Sequence, residues 1–217
     1  LALGGCDSAQ RTTPAPSGPV IGAPGQPVDY GAIPPGGQFE AVVGRVHDGD
    51  SFDLKADRGQ RIGVRISGID APERRQPYSD LSRRQLQALI GGQTIRVHVL
   101  GRDRYGRILG RVERPARPGD PAAAAVTDVG LAQIEAGLAW YYRRYERDLP
   151  PAWRSRYDAA ESAARSEGRG LWREPEPVEP WRFREDRRGG SPSGPAPSRL
   201  SPWSQSRLTW PRWRTVS

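Results

Sequence analysis

Along the middle of this chain, apolar and polar positions alternate over several short runs that turn-forming residues separate. Phe39 to Val46 (FEAVVGRV) is rich in β-formers, His47-Asp-Gly-Asp50 is a turn signal, and Ser51-Phe-Asp-Leu54 alternates again. The two runs predict a hairpin. After a second break at Asp57-Arg-Gly59, the run from Arg61 to Ile69 sets Ile62, Val64 and Ile66 on one face, as in a half-buried strand. Gln76 to Ile90 predicts a helix, with Leu86, Leu89 and Ile90 at helical spacing and Gly91-Gly92 to end it. Thr94 to Leu100 and Ile108 to Val112 predict two more strands on either side of a turn at Asp103-Arg-Tyr-Gly106. Thr127 or Asp128 is placed to cap a second helix carrying Leu131, Ile134 and Leu138. A third helix follows Pro150-Pro151, with Trp153, Tyr157, Ala160 and Ala164 in one stripe and Gly168 to Gly170 as its stop.

The order β-β-β-α-β-β-α-α predicts an α+β fold: a five-stranded β-barrel of the OB type, packed by about three helices. The flanks carry no such period. Residues 1–37 are a Pro/Gly-rich tether, 38–175 the folded domain, and 176–217 a Pro/Arg/Trp-rich tail expected to be disordered. Composition agrees, since 26 glycines and 22 prolines beside 35% hydrophobic residues leave much of the 217-residue length for linkers.

Charge narrows the partners. The net charge is +8 and the pI about 10.3, which suits an anionic partner such as nucleic acid or a lipid surface. Lys55 is the only lysine, and arginine offers a planar fork that grips phosphate in two places. A GC-rich genome would produce the same bias. The single cysteine, Cys6, excludes an internal disulfide, and no stretch approaches the ~20 apolar residues of a membrane helix. The chain has no methionine, so its first residue is not expected to be the start of translation. Leu3-Gly-Gly-Cys6 resembles the end of a bacterial lipoprotein signal, with Cys6 as the lipidated residue.

The candidate chemistry sits at predicted strand ends. Asp48, Asp50, Asp70 and Glu73 are hard oxygen donors suited to calcium or magnesium. Two histidines and one tether cysteine make a zinc site a poor fit. Neither histidine accompanies a Gly-x-Ser-x-Gly elbow, so a serine hydrolase finds no support. Phosphodiester cleavage needs an activated water, a cation on the non-bridging oxygens and charge stabilisation as the pentavalent centre forms. Asp50 and Asp70 are placed to hold the metal, Glu73 to handle the water, and Arg65 and Arg107 to clamp the phosphate. Acidic turn residues are also commonly solvated caps.

Three segments in order, Asp48-Gly-Asp-Ser51, Arg65-Ile-Ser-Gly-Ile-Asp-Ala-Pro-Glu73 and Asp103-Arg-Tyr-Gly-Arg107, resemble the signatures of the staphylococcal (micrococcal) nuclease family. Gly137-Leu-Ala-Trp140 and Glu161 to Trp172 look like that family's closing segments, so the resemblance covers roughly Phe39 to Glu174. It implies a calcium-dependent nuclease cutting DNA and RNA with low sequence specificity. By position, Asp50 and Asp70 match the calcium carboxylates. Ala71 matches the residue whose backbone carbonyl meets the metal, though alanine lacks the hydroxyl of the threonine common there. Glu73 matches the residue assigned to the attacking water, and Arg65 and Arg107 the phosphate pair. Asp48 looks like a partner of the metal's waters. Tyr105 stands where it would flank the nucleotide. Arg104 stands at a terminal-phosphate position or is a solvated turn residue. Of Tyr141, Tyr142 and Tyr145, Tyr142 and Tyr145 are the expected pocket tyrosines, with packing against the barrel as the alternative.

Two other readings stand beside the nuclease. One is a catalytically inactive nucleic-acid-binding domain, and the retention of all three carboxylates and both arginines weighs against it. The other makes the tail (Trp181-Arg-Phe-Arg184, Trp210-Pro-Arg-Trp-Arg214) a membrane- or nucleic-acid-binding element. The expected setting is extracytoplasmic, periplasmic or secreted, as a monomer tethered to membrane through Cys6. Asp7 resembles an inner-membrane retention signal.

Overall fold

The computed structural model describes residues 29–30, 32–55, 61–116 and 126–189. Strands β1 (Gln38–Val46), β2 (Ser51–Lys55) and β3 (Arg61–Ile66) run as an antiparallel meander. A tight turn then leads into the two-residue strand β4 (Ile69–Asp70). Helix α1 (Ser79–Ile90) returns the chain to β5 (Thr94–Arg102), which pairs with β1 on one side and with β6 (Ile108–Pro115) on the other. β6 lies parallel to β3 through Val64↔Ile108 and Ile66↔Gly110, which closes a five-stranded ring of the OB type. β7 (Val126–Asp128) extends β6 beyond the ring, and helix α2 (Val129–Glu135) follows it directly. β8 (Trp140–Tyr141) pairs with β4, helix α3 (Pro151–Ser166) packs on α2, and helix α4 (Pro180–Gly189) ends the described chain. The architecture is α+β, as the pattern predicts. Among the described residues no helix is long and apolar enough to cross a membrane.

The ring is filled by the alternating positions. Phe39, Phe52, Val64, Ile66, Ile95, Val97, Ile108 and Val112 are fully buried, and Leu86 and Ile90 of α1 plug the ring from one side. Asp128 rather than Thr127 caps α2, accepting the Leu131 N–H at 2.8 Å. The same buried carboxylate accepts from Tyr157 Oη at 2.8 Å and pairs with Arg111 at 3.2 Å, so it joins α2, α3 and the ring.

Some elements differ from the sequence expectation. α1 begins at Ser79 and not at Gln76, because Pro77 disfavours helix at the residue before it and Tyr78 takes a left-handed φ of 65°. α2 stops at Glu135, so Leu138 is not on the helix. Gly137, with φ 66°, turns the chain while the Leu138 N–H closes back on the Gln133 carbonyl. The run Arg61 to Ile69 is broken by Gly68 (φ 79°), where a Cβ would stand 2.3 Å from Leu149 Cδ1. The tail expected to be disordered from residue 176 instead starts with an ordered segment, because Pro180 opens a helical turn and Trp181 finds aromatic partners in the domain. Residues 1–28 of the tether, including Cys6 and Asp7, lie outside the described residues, as do residues 190–217, whereas the tether's last part packs on the domain through the buried Ile33 and a 2.8 Å bond from the Gly36 N–H to the Val99 carbonyl.

Replacing Asp128 by Ala removes a cap and two buried partners together, and should lower unfolding free energy by about 2–4 kcal/mol. Tyr157→Phe should cost only about 1 kcal/mol. Denaturant unfolding checks both, and an Asp128→Ala loss no larger than that of Tyr157→Phe would contradict the junction role.

Candidate active site

The β1–β2 turn is the first part of the site. Asp48 Oδ1 accepts the Asp50 N–H at 3.0 Å, an Asx turn that folds the loop on itself. Gln133, buried on α2, donates to the Gly49 carbonyl at 2.7 Å and fastens the loop to the helices. Gly49 is required there: a Cβ would lie 1.8 Å from Ser82 Oγ and 2.7 Å from Ala71 Cβ.

Asp50 is thereby carried inward. Its Oδ1 accepts from Ser51 Oγ at 2.7 Å and from Arg65 Nη1 at 2.6 Å, and its Oδ2 accepts the Ala71 N–H at 3.0 Å. β3 supplies Arg65, and the Gly68 turn returns the chain so that Asp70 faces the same guanidinium. Arg65 Nη2 reaches Asp70 Oδ1 at 2.8 Å. One guanidinium therefore bridges two buried carboxylates. Burial would raise the Asp50 pKa, but Arg65 beside it holds it below the usual value. Burial dominates at Asp70 and raises its pKa. The half-buried Asp48 is pushed up to about 7 by burial and by the neighbouring Asp50 charge.

The β5–β6 turn supplies the second arginine. Asp103 accepts from the Tyr105 and Arg107 N–H groups at 2.9 and 3.0 Å and from Arg107 Nε at 2.7 Å. Gly106, with φ 79°, permits this turn. Arg107 Nη1 then reaches Ser51 Oγ at 3.2 Å, so Ser51 links the two arginine-bearing halves.

These elements line one cleft of about 660 Å³, a size suited to a small ligand or a nucleotide. Asp48, Asp50, Ala71, Glu73, Arg65 and Arg107 all line it. So do Arg104, Tyr105, Tyr142 and Tyr145 at its rim. Tyr105 is 69% exposed, and the Arg104 guanidinium lies 4.8 Å from its ring centre. Tyr142 and Tyr145 meet edge to face at 5.3 Å, whereas Tyr141 is buried against Tyr157. Asp70 is completely buried.

The sequence reading missed the contribution of α4. Arg184 Nη2 binds Asp70 Oδ2 at 2.7 Å, and its Nη1 binds Glu73 Oε1 at 2.6 Å and Asp70 Oδ1 at 3.1 Å. Trp181 stacks on Tyr142 with centroids 5.1 Å apart. The signal was present as Pro180 followed by Trp-Arg-Phe-Arg, a helix-opening proline before a cationic aromatic cluster. Among the described residues, no three His, Cys, Asp or Glu side chains are arranged as a ready metal cluster. The donors themselves, two buried carboxylates without imidazole or thiol, fit a hard cation such as calcium or magnesium.

The profile of the staphylococcal nuclease homologue family matches residues 63–174. An uncharacterized endonuclease of Escherichia coli is 36% identical over 144 residues, covering 65% of this chain and 82% of that protein. A micrococcal nuclease of Shigella flexneri is 36% identical over 154 residues, 70% of this chain and 84% of its own length. A staphylococcal-like nuclease, CAN1, of Arabidopsis thaliana is 30% identical over 141 residues, 65% of this chain and 39% of that protein.

Gly49→Ala should destabilise the fold by about 1–3 kcal/mol, because Ser82 and Ala71 are packed on both sides of the new methyl. Thermal unfolding measures it, and an unchanged midpoint would mean the loop has room that the packing denies.

Proposed function

Since the chain belongs to the staphylococcal nuclease homologue family, we propose that it is a calcium-dependent nuclease hydrolysing phosphodiester bonds of DNA and RNA with little regard for sequence. The observation that carries this reading is the single Arg65 guanidinium, which lines one cleft with Asp50, Glu73 and Arg107 and joins Asp50 to the buried Asp70 behind it. Asp50, Asp70 and the Ala71 carbonyl would hold the cation. A cation held there would supply polarisation of a non-bridging phosphate oxygen and would offset the negative charge that builds up on the phosphate oxygens. Asp48 would hold water at the rim of that site.

Glu73 orients the attacking water and takes its proton. Arg65 and Arg107 grip the phosphate, and their hydrogen bonds strengthen as negative charge gathers on its oxygens. Arg107 also steadies the departing oxygen. Tyr105, Tyr142 and Tyr145 flank the nucleotide, and Arg104 meets a flanking phosphate. Stacking and phosphate contacts carry no sequence code, which is the physical basis for low specificity. A lipidated Cys6 would display the monomeric domain outside the cytoplasm, where calcium is plentiful.

The test is cleavage of single-stranded DNA and of RNA by the full chain, with calcium and with excess chelator. Cutting should require calcium. Glu73→Gln, Arg65→Ala and Arg107→Ala should each lower the rate by about 10²–10³. Oligonucleotide binding with no cleavage in any condition would overturn the reading in favour of an inactive binding domain.

A further inference from the structure

Helix α4 lies across the part of the cleft where the chemistry is assigned, and it does so with two side chains of different kinds. Arg184 holds both carboxylate oxygens of Asp70 and one of Glu73. A calcium ion on Asp70 would sit about 2.3–2.6 Å from the same oxygens. The guanidinium nitrogens, at 2.7 and 3.1 Å, already occupy both Asp70 oxygens, and a second cation on them would be repelled. One turn earlier, Trp181 lies on Tyr142 at 5.1 Å with an interplanar angle of 28°, covering a ring face on which a base would stack. A cation and an aromatic plane therefore cover the two places that a metal ion and a nucleotide require.

We propose that α4 is an intramolecular stopper: Arg184 stands in for the cation and Trp181 for the base, and the helix must swing away before the nuclease can act. The proposal rests on the calcium-dependent reading of this site. The attachment suits a movable element. Apart from Pro180, no residue of α4 with a described side chain is fully buried. Besides Arg184, the segment is held by Trp181 against Tyr142 and Trp140 and by a 3.0 Å bond from Gln76 Nε2 to the Val178 carbonyl. Arg182, on the same helix, has a 68% exposed side chain and, among the described residues, pairs with Glu179 of its own segment.

The full chain, with Arg184→Ala, Trp181→Ala and Arg182→Ala variants, is titrated with calcium in a calorimeter. A competitor that is mostly seated lowers apparent affinity by the fraction of open molecules. Arg184→Ala and Trp181→Ala should therefore each bind calcium about tenfold or more tighter than the parent chain. Arg182→Ala should match the parent. Trp181→Ala leaves every acidic residue and its partners in place, so its effect cannot come from disturbing Asp70 directly. Calcium bound equally by parent, Arg184→Ala and Trp181→Ala would overturn the stopper and leave the nuclease reading intact, as would weaker binding in both variants. If none of the chains binds calcium or cuts, the reading of the site fails and the stopper with it.

Discussion

The Arg65 guanidinium between Asp50 and Asp70 is the contact around which the site and much of the fold are arranged. Two carboxylates out of water are costly together, and removing a partner from a buried charge pair costs about 3–5 kcal/mol. Each element around the pair serves to hold the three groups in register. The Asx turn at Asp48 delivers Asp50, the β2–β3 pairing sets Ser51 opposite Arg65, and the Gly68 turn brings Asp70 back to the same guanidinium. The Ala71 N–H on Asp50 and the β4–β8 pairing fix the strand that carries Asp70.

The closure of the ring extends this arrangement to the second arginine. The parallel β3–β6 pairing sets Arg65 beside Leu109, two residues past Arg107, so the turn bearing Arg107 stands over the mouth that β3 opens. Ser51 spans the gap, donating to Asp50 and accepting from Arg107. The site is thus a property of ring closure, since β3 and β6 are far apart in sequence and meet only when the strand order is complete. The helices act at a distance: Gln133 of α2 ties the Asp50 turn, and Glu161 of α3 accepts the Tyr141 N–H at 3.0 Å and so steadies β8 against β4.

The positions of Arg184 and Trp181 give the cationic composition a specific local meaning. An acidic cluster within a basic protein attracts the protein's own arginines as well as external cations. Arg184 is held charged: burial works against this, but its bonds to Asp70 and Glu73 more than offset that cost. Whether such a cluster faces an internal guanidinium or an external ion depends on how weakly the helix bearing the guanidinium is attached.

Local chemistry in the sequence determined the five strands of the ring, the turns at Asp48 and Asp103 and the identity of the carboxylates. Alternating Ile95, Val97 and Val99 can form only a strand with one buried face, and Asp103-Arg-Tyr-Gly106 can close a turn with groups of its own. The ends of elements were less legible: Pro77 limits only its own neighbours and leaves the exact start of α1 open, and Gly68 is required by its packing on Leu149, which only the folded chain provides. The two-residue strands β4 and β8 were not legible at all, since a pair of residues has no period and their pairing joins segments some seventy positions apart. The same holds for α4. Its residues read as a patternless tail because no apolar stripe marks them, and the tertiary structure alone brings Arg184 across 114 positions to Asp70. Ion pairs between distant segments leave no periodic trace in a sequence, and they become visible only when the fold sets the two charges side by side.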